Sequence, residues 1–422
     1  MKHKYIYSLM ISVLLINPVL RAAERIEDDA TTVVGSNFGQ CGENVSGKID
    51  FGYGKTVQAH RHPNGCGWVA DTAQVSPEVE LERSAAILDQ AKVKGNVRIL
   101  GRAVVRESAW IQGGGAASLE GNEDFGVVIR DFAQVSGNAE VQGNVMIEKR
   151  AQVYGSAKVF SMDEKTGVVL TDYAQAGDEA SVSEQAFLSG NARIKGKSRV
   201  YGHANISGHA IIDGEKVEIY GNAQVRGKVF VTDKAKILDF AFVDGPGPED
   251  KEADGTRIMM SAKLSDFAHV HGDAEISENA WIHGSAEVFG HSTIYGNAQV
   301  YGHAQVYTVG LTKPYARVFG DAKVFDDAKV YDHAGVAGKA KIHGKSQIYE
   351  NAFVHGKASV FGRAQVYGNA QVYGRVKVML KAKVHKCTRL DGFQGITATH
   401  AAPCSQNDTT DPNEEHSPPN MP

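Results

Sequence analysis

Aliphatic residues recur at every sixth position over a long stretch in the C-terminal half of the chain. The unbroken run consists of Val318, Val324, Val330, Val336, Ile342, Ile348, Val354, Val360, Val366, Val372, Val378 and Val384. A period of six matches neither the 3.6-residue period of an amphipathic helix nor the two-residue period of a strand. The pattern therefore predicts a repeated unit that combines a short extended segment with a corner.

Most of these units read approximately V-Y-G-N-A-Q. In an extended A-Q-V-Y segment, alternate side chains point to opposite sides, so Ala and Val share one side while Gln and Tyr share the other. The remaining Gly-Asn pair readily adopts positive φ and suits a tight corner. One unit cannot bury its own apolar side, so the sequence predicts many stacked units around an Ala/Val core.

Aliphatic residues at six-residue spacing, which we call the aliphatic column, occur along most of the chain, with interruptions. We predict an N-terminal cap at residues 24–68, a solenoid at 69–385, and a C-terminal cap with a disordered tail at 386–422. The pattern is lost at about 112–128, 160–169, 244–263 and 307–317. The first interruption is either a degenerate coil or a loop. The third begins D-G-P-G-P-E-D-K and is too polar and too rich in Pro and Gly to form a coil, so it should protrude.

These units resemble those of the hexapeptide-repeat proteins, in which an aliphatic residue, two turn-type residues and a small residue recur at six-residue spacing. The likeness extends to long bacterial repeat proteins that are often labelled transferases. It implies an all-β fold, a single-stranded parallel β-helix that is left-handed, with three units per coil and about 15 coils. The glycine lies one place later here than in the family pattern, because Tyr, Phe or His follows the aliphatic residue.

The N-terminal segment MKHKYIYSLMISVLLINPVLRAA has a basic start, an apolar stretch and small residues at its end. This order is typical of a secretory signal peptide, which we assign to residues 1–23. An uncleaved anchor helix is the alternative. Asn17 and Pro18 interrupt an apolar stretch that is already shorter than the about 20 residues a membrane span needs. We therefore expect an exported protein, periplasmic, surface-bound or secreted, with no membrane span after cleavage.

Cysteines flank the repeats at both ends, with Cys41 and Cys66 before them and Cys387 and Cys404 after them. In an oxidising compartment this arrangement predicts two local disulfides, Cys41 with Cys66 and Cys387 with Cys404. A zinc site is the alternative reading. Neither pair has the close C-x-x-C spacing that such a site commonly uses.

Histidine is the residue to weigh for chemistry, because hexapeptide-repeat enzymes are mostly acyltransferases with a histidine base and an acyl thioester donor. His271, His283, His343, His355 and His385 follow the aliphatic residue, and His203, His209, His291, His303 and His333 take the corner. Tyr, Phe, Asn, Asp or Lys fills these slots in other units, so no histidine stands out as catalytic.

The same histidines, together with some aspartates, are also candidate metal ligands. Carbonic anhydrases of this fold bind zinc through three histidines, whereas here only pairs such as His283 with His303 fall within one coil. Aspartates in F-D-D-A and Y-D-H-A could indicate calcium, but Asp commonly forms corners. We predict no catalytic residue, no metal and no cofactor.

Outward aromatic residues align in columns if one coil takes 18 residues. The columns would contain His271, Phe289, Tyr307, Phe325, His343, Phe361 and Met379 on one face; Tyr331, Tyr349 and Tyr367 on another; and His283, Tyr301, Phe319, His355 and Tyr373 on the third. Such rows either stack to stabilise the sheet or bind sugars or a partner subunit. The candidate binding residues are Tyr331, Tyr349, Tyr367, Phe289, Tyr307, Phe325 and Phe361.

Two classes of function remain. The favoured one is a non-catalytic exported solenoid that acts as a scaffold, an adhesin or a rod that binds glycan, an envelope component or a second copy through an aromatic face. The alternative is a hexapeptide-type acyltransferase, although those enzymes carry fewer units and use cytosolic donors that an exported protein would not meet. A net charge of −4 without any Lys/Arg block indicates no nucleic-acid partner.

Overall fold

The computed structural model describes residues 46–402, apart from residues 53, 115–125, 164–165, 248, 251–252 and 309–314. The chain divides into two compact units, Met1–Ile194 and Lys195–Pro422. Every regular element among the described residues is a β-strand. The all-β fold class is therefore confirmed, and each unit is a parallel β-solenoid.

Most strands of the first unit are only two to four residues long. They are β1 (Ser46–Asp50), β2 (Thr56–Arg61), β3 (Trp68–Ala70), β4 (Gln74–Val75), β5 (Glu80–Leu81), β6 (Ala86–Ile87), β7 (Lys92–Lys94), β8 (Val97–Ile99), β9 (Val104–Val105), β10 (Trp110–Gly113), β11 (Val127–Ile129), β12 (Gln134–Val135), β13 (Glu140–Gly143), β14 (Val145–Ile147), β15 (Gln152–Val153), β16 (Lys158–Ser161), β17 (Val168–Leu170), β18 (Gln175–Ala176), β19 (Ser181–Ser183) and β20 (Phe187–Leu188). Strand β21 (Arg193–Gly196) lies at the division between the units.

The second unit continues with strands of the same kind. They are β22 (Arg199–Val200), β23 (Asn205–Ile206), β24 (Ile211–Gly214), β25 (Glu218–Ile219), β26 (Gln224–Arg226), β27 (Val229–Thr232), β28 (Lys236–Ile237), β29 (Phe242–Asp244), β30 (Thr256–Ile258), β31 (Lys263–Leu264), β32 (His269–His271), β33 (Glu275–Ile276), β34 (Trp281–Ile282), β35 (Glu287–Phe289), β36 (Thr293–Ile294), β37 (Gln299–Val300), β38 (Gln305–Tyr307), β39 (Arg317–Val318), β40 (Lys323–Val324), β41 (Lys329–Tyr331), β42 (Gly335–Val336), β43 (Lys341–Ile342), β44 (Gln347–Ile348), β45 (Phe353–Val354), β46 (Ser359–Val360), β47 (Gln365–Val366), β48 (Gln371–Val372), β49 (Lys377–Val378), β50 (Lys383–Lys386), β51 (Arg389–Leu390), β52 (Gly395–Ile396) and β53 (His400–Ala402).

From β3 onwards, each strand pairs in parallel with the third strand along the chain, so three strands make one turn with three faces. In the first unit, Val93 pairs with Ile111, and in the second unit Ile348 pairs with Val366. In the first unit, the first face begins with β3, the second with β4 and the third with β5. In the second unit, the first face begins with β24, the second with β22 and the third with β23. Each face continues with every third strand along the chain. Counted over both units, there are about 17 turns.

The core consists of the aliphatic column and the small residues four places after it. Ile348 and Ala352 are both 0 % exposed, whereas Gln347 beside them is half-buried. Neighbouring turns place like residues at the same level, since Ile348 lies between Val330 and Val366. The predicted Ala/Val core and the predicted outward Gln and Tyr positions are confirmed.

Most corners form at the second residue after an aliphatic residue, where the backbone has positive φ. Gly344 has φ of 71° there, and Asp326 has φ of 61°. The Gly344 N–H donates to the Asp326 carboxylate of the preceding turn at 3.0 Å. The Gly284 N–H donates to Asp266 in the same way, at 2.9 Å. Aspartate at a corner can therefore satisfy a main-chain donor of the next turn, as Asp326 of the F-D-D-A motif does.

The first strands of the described chain run against the parallel pattern. Strand β1 pairs antiparallel with β2, and β2 pairs antiparallel with β3. Their buried side is a small cluster that includes Phe51, Ala59 and Trp68. Strands β1 and β2 lie within the region predicted as the N-terminal cap, of which residues 24–45 fall outside the described residues.

The strands on either side of the first interruption lie on neighbouring faces of the coil. Ile111 lies on the second face, where it pairs with Val141, and Ile129 lies on the third face, where it pairs with Ile147. The two residues are therefore only one face apart along the coil. The prediction of a degenerate coil or a loop there concerns mainly residues 115–125, which lie outside the described residues.

The coil also includes strands that the sequence pattern missed. Ile258 is fully buried in β30 and pairs with Val231, so the third interruption ends at residue 255 rather than at 263. The parallel ladder continues past the predicted end at residue 385, because Leu390 and Ile396 prolong the six-residue column. Strands β3, β30, β51, β52 and β53 account for the difference between about 15 predicted turns and about 17 observed turns.

Candidate functional site

A column of aromatic rings runs along the third face of the second unit. Each ring directly follows a buried aliphatic residue, and each side chain is half-buried. The column, which we call the third-face ladder, consists of His271, Phe289, Tyr307, Tyr331, Tyr349, Tyr367 and His385. It arises because parallel register places the same slot of each unit directly above the one before.

The rings of the third-face ladder stack face to face. Their centroids are 4.7 to 5.0 Å apart and their planes lie within 2 to 5° of parallel. Both faces of every inner ring are therefore covered by its neighbours. Only ring edges and phenol hydroxyl groups remain accessible to a ligand. An exposed row of rings suggests that successive sugars stack on the ring faces, and this mode of contact does not fit the geometry.

The predicted grouping of the columns is wrong beyond Tyr307. Tyr307 pairs with Tyr331, so this turn takes 24 residues instead of 18, and the extra residues fall between Tyr307 and Arg317. Of the predicted binding residues, Phe289, Tyr307, Tyr331, Tyr349 and Tyr367 share the third-face ladder. Phe325 and Phe361 instead belong to a column on the second face.

Two shorter columns occupy the other faces of the second unit. The second-face ladder consists of Trp281, His283, Tyr301, Phe325, His343 and Phe361. On the first face, Tyr295 stacks on Phe319, and Phe353, His355 and Tyr373 follow. Aromatic stacking is thus general in this unit, and the third face is distinguished by its consecutive tyrosines.

Histidines in the slot after the aliphatic residue serve as rungs of these ladders. His343 lies between Phe325 and Phe361, with ring centroids 4.8 and 5.0 Å away. Burial lowers the pKa of His343, although nearby Asp326 opposes the shift. Burial likewise lowers the pKa of His283. Both rings are therefore favoured in the neutral form, which suits stacking against an uncharged ring.

Three tyrosines of the third-face ladder keep their protons. Burial raises the pKa of Tyr307, Tyr331 and Tyr349, and neighbouring acidic groups add to the effect. Each of these phenols can therefore donate a hydrogen bond at any physiological pH. The result is a row of similar donors that recurs at the spacing of the turns.

A second constellation lies where the third-face ladder begins. His269 and His271 flank the buried Val270 on β32, and Glu287 lies on the next strand of the same face. One ligand atom from each of the three residues can be chosen so that all lie within 4.8 Å of one another. The closest approaches to the Glu287 Oε1 atom are 3.2 Å from His271 Nε2 and 3.8 Å from His269 Nδ1.

The charges in this cluster depend on burial and on hydrogen bonds. Burial lowers the pKa of His269, and neighbouring His271 lowers it further. Burial alone would raise the pKa of Glu287, but hydrogen bonds from Gln305 and His271 outweigh it and lower the pKa. Gln305 Nε2 donates to Glu287 Oε2 at 2.7 Å. The carboxylate is thus ionised and held in place.

Sequence reasoning missed this cluster because His269 precedes the aliphatic residue, in a slot filled elsewhere by Gln, Lys or Glu. A search for H-V-H with an acidic residue one turn later would have found it, because Glu287 is the register partner of His269. The histidine pairs considered above as zinc ligands, such as His283 with His303, come from different slots and include no carboxylate.

The cysteines fall partly outside the described residues. Cys66 and Cys387 are buried, and no described cysteine is a free thiol. The partners predicted for them, Cys41 and Cys404, are not among the described residues. Both disulfide pairings therefore stay predictions.

Comparison with known proteins adds no relative. No protein-family model matches this chain, and no curated protein matches it either. Within the described part of the chain, no helix has the length and apolar character needed to cross a membrane. The geometry of the third-face ladder and of the cluster of His269, His271 and Glu287 therefore carries the functional conclusion.

Proposed function

We propose that this protein is an exported, non-catalytic β-helix of the hexapeptide-repeat type, which acts as a scaffold or adhesin and binds a glycan of the cell envelope through the third-face ladder. The observation that carries the proposal is the row of four consecutive tyrosines, Tyr307, Tyr331, Tyr349 and Tyr367, whose rings repeat at 4.9 to 5.0 Å. A periodic row of donors suits a periodic ligand.

Glycans fit this chemistry better than a globular protein surface does. Polysaccharides present hydroxyl and ring oxygens at regular intervals, and each phenol can donate one hydrogen bond and accept another. Tyrosine edges also add apolar contact at a small cost in conformational entropy. The ladder is rigid because its rings pack on one another, so little ordering is required when a ligand binds.

Exchanging Tyr331, Tyr349 and Tyr367 together for Phe tests the proposal directly. The triple variant keeps three stacked rings and removes only the hydroxyl groups. We expect its affinity for the polysaccharide identified on a glycan array to fall by about tenfold or more, since three hydrogen bonds of about 0.5 to 1.5 kcal/mol each are lost. The measurement is titration calorimetry with the mature protein.

Tyr301→Phe on the second-face ladder is the matched control and should bind as the wild type does. If the triple variant bound the polysaccharide as tightly as the wild type does, the hydroxyl groups of the third-face ladder would not be the binding groups. Failure of the wild type to bind any glycan or envelope polysaccharide would reject the ligand class. Turnover of an acyl thioester that is lost on substitution of a single histidine would favour the acyltransferase instead.

If the protein is exported to an oxidising compartment, its four cysteines should form two disulfides in the mature protein. We expect peptide mapping under non-reducing conditions to find Cys41 joined to Cys66 and Cys387 joined to Cys404, with the N-terminus of the mature chain at about residue 24. Each bridge should stabilise the protein by about 3 kcal/mol in the loop-closure model. Free thiols at all four positions, or bridges between the two ends of the chain, would contradict the prediction.

A further inference from the structure

We infer that His269, His271 and Glu287 form a binding site for a divalent transition metal ion of the zinc class, at the end of the third-face ladder. The inference is independent of the proposed glycan binding. It starts from the geometry of three side chains that two neighbouring strands hold on one face.

The distances in the cluster are close to those that zinc requires. With bonds of about 2.0 to 2.2 Å in a tetrahedral site, ligand atoms lie about 3.3 Å from one another. Glu287 Oε1 lies 3.2 Å from His271 Nε2 and 3.8 Å from His269 Nδ1. The two imidazole rings stack at 4.5 Å with their planes 28° apart, so at least one ring must rotate out of the stack before both nitrogens can bind the same ion.

The ligand types select the class of ion. Two imidazole nitrogens and one carboxylate oxygen suit zinc and its neighbours in the first transition row. Calcium and magnesium prefer sites built from oxygen alone. Three protein ligands leave one position of a tetrahedral ion open, and all three side chains are half-buried, so water or a donor group of a bound ligand can reach it.

The surroundings hold the three ligands in position. Gln305 donates to the second oxygen of Glu287, which is the outer-shell support common at metal sites. Phe242 stacks on His269 at 4.8 Å, and Phe289 stacks on His271 at 4.8 Å. Arg226 pairs with Asp244 beside the cluster, so this cation has its own partner. The carboxylate is therefore in position before an ion binds, whereas the imidazole rings must rotate out of their stack to bind it.

Zinc titration of the full mature chain, purified without a histidine tag and stripped of metal, tests the inference. We expect calorimetry to show one zinc ion per chain at a saturable site, and calcium to give no comparable binding. His269→Gln, His271→Phe and Glu287→Gln should each weaken zinc binding by more than about tenfold, because loss of an outer-shell group alone costs 10- to 100-fold. His271→Phe keeps a stacked ring, so it separates metal binding from folding.

His343→Phe is the matched control. His343 is also a ladder ring, and it approaches one carboxylate, with Nδ1 3.8 Å from Asp326, but it has no second histidine in the cluster. Its exchange should leave zinc binding unchanged. Absence of a saturable zinc site, or retention of full affinity by all three ligand variants, would overturn the inference, and so would tighter binding of calcium than of zinc.

Discussion

Gly143→Ala should lower the free energy of unfolding by about 3 kcal/mol or more, whereas Gly54→Ala should lower it by about 1 kcal/mol. Both glycines have positive φ, 79° and 71° respectively, so alanine pays a similar backbone cost at either position. They differ in what surrounds the added methyl group. A Cβ at Gly143 would overlap the carbonyl oxygen of Ser161 on the next turn, while a Cβ at Gly54 would meet nothing within 4 Å.

The difference arises from the parallel register. Gly143 pairs with Ser161 across β13 and β16, and the turns cannot separate at this point without breaking the hydrogen bonds between the two strands. Chemical denaturation measures the total loss of stability. Hydrogen exchange of the β13 and β16 amides locates it, since solenoids can open locally. An equal loss in the two variants would mean that backbone strain, and not contact between turns, sets the cost.

Exchanging Tyr331, Tyr349 and Tyr367 for Ser should destabilise the second unit by about 2 to 6 kcal/mol, because each stacked aromatic pair contributes about 0.5 to 1.5 kcal/mol beyond its burial. The exchange breaks the four stacked pairs that link Tyr307 to His385 along the third face. Thermal unfolding and hydrogen exchange of β41, β44 and β47 measure the effect.

The triple Phe variant is the control for this experiment, because it keeps all four stacked pairs and should unfold close to the wild type. If the Ser variant were as stable as the Phe variant, the third-face ladder would contribute nothing to stability. The comparison also bears on function. Loss of binding in the Ser variant alone could reflect local opening of the turns, whereas loss in the Phe variant reports the hydroxyl groups.

Much of the fold was predictable because it is a local property of the repeat. The six-residue period predicts short strands separated by corners. The alternation of Ala and Val with Gln and Tyr predicts which side chains form the core. Glycine at the corner predicts positive φ at positions such as Gly344. These features need only the geometry of an extended chain and the burial of an apolar side. The same rules extend to Leu390 and Ile396, whose six-residue spacing is readable without any structure.

Only the tertiary structure determined which residues of neighbouring turns pair with each other. A six-residue period leaves open whether residues inserted between two strands form part of the coil, so it cannot say whether Tyr307 pairs with Phe325 or with Tyr331. Hydrogen bonds between turns and burial of the aliphatic column choose Tyr331. The meeting of His269, His271 and Glu287 depends on the same register. Sequence periodicity thus determined what each unit buries, whereas pairing between turns determined which exposed side chains share a surface.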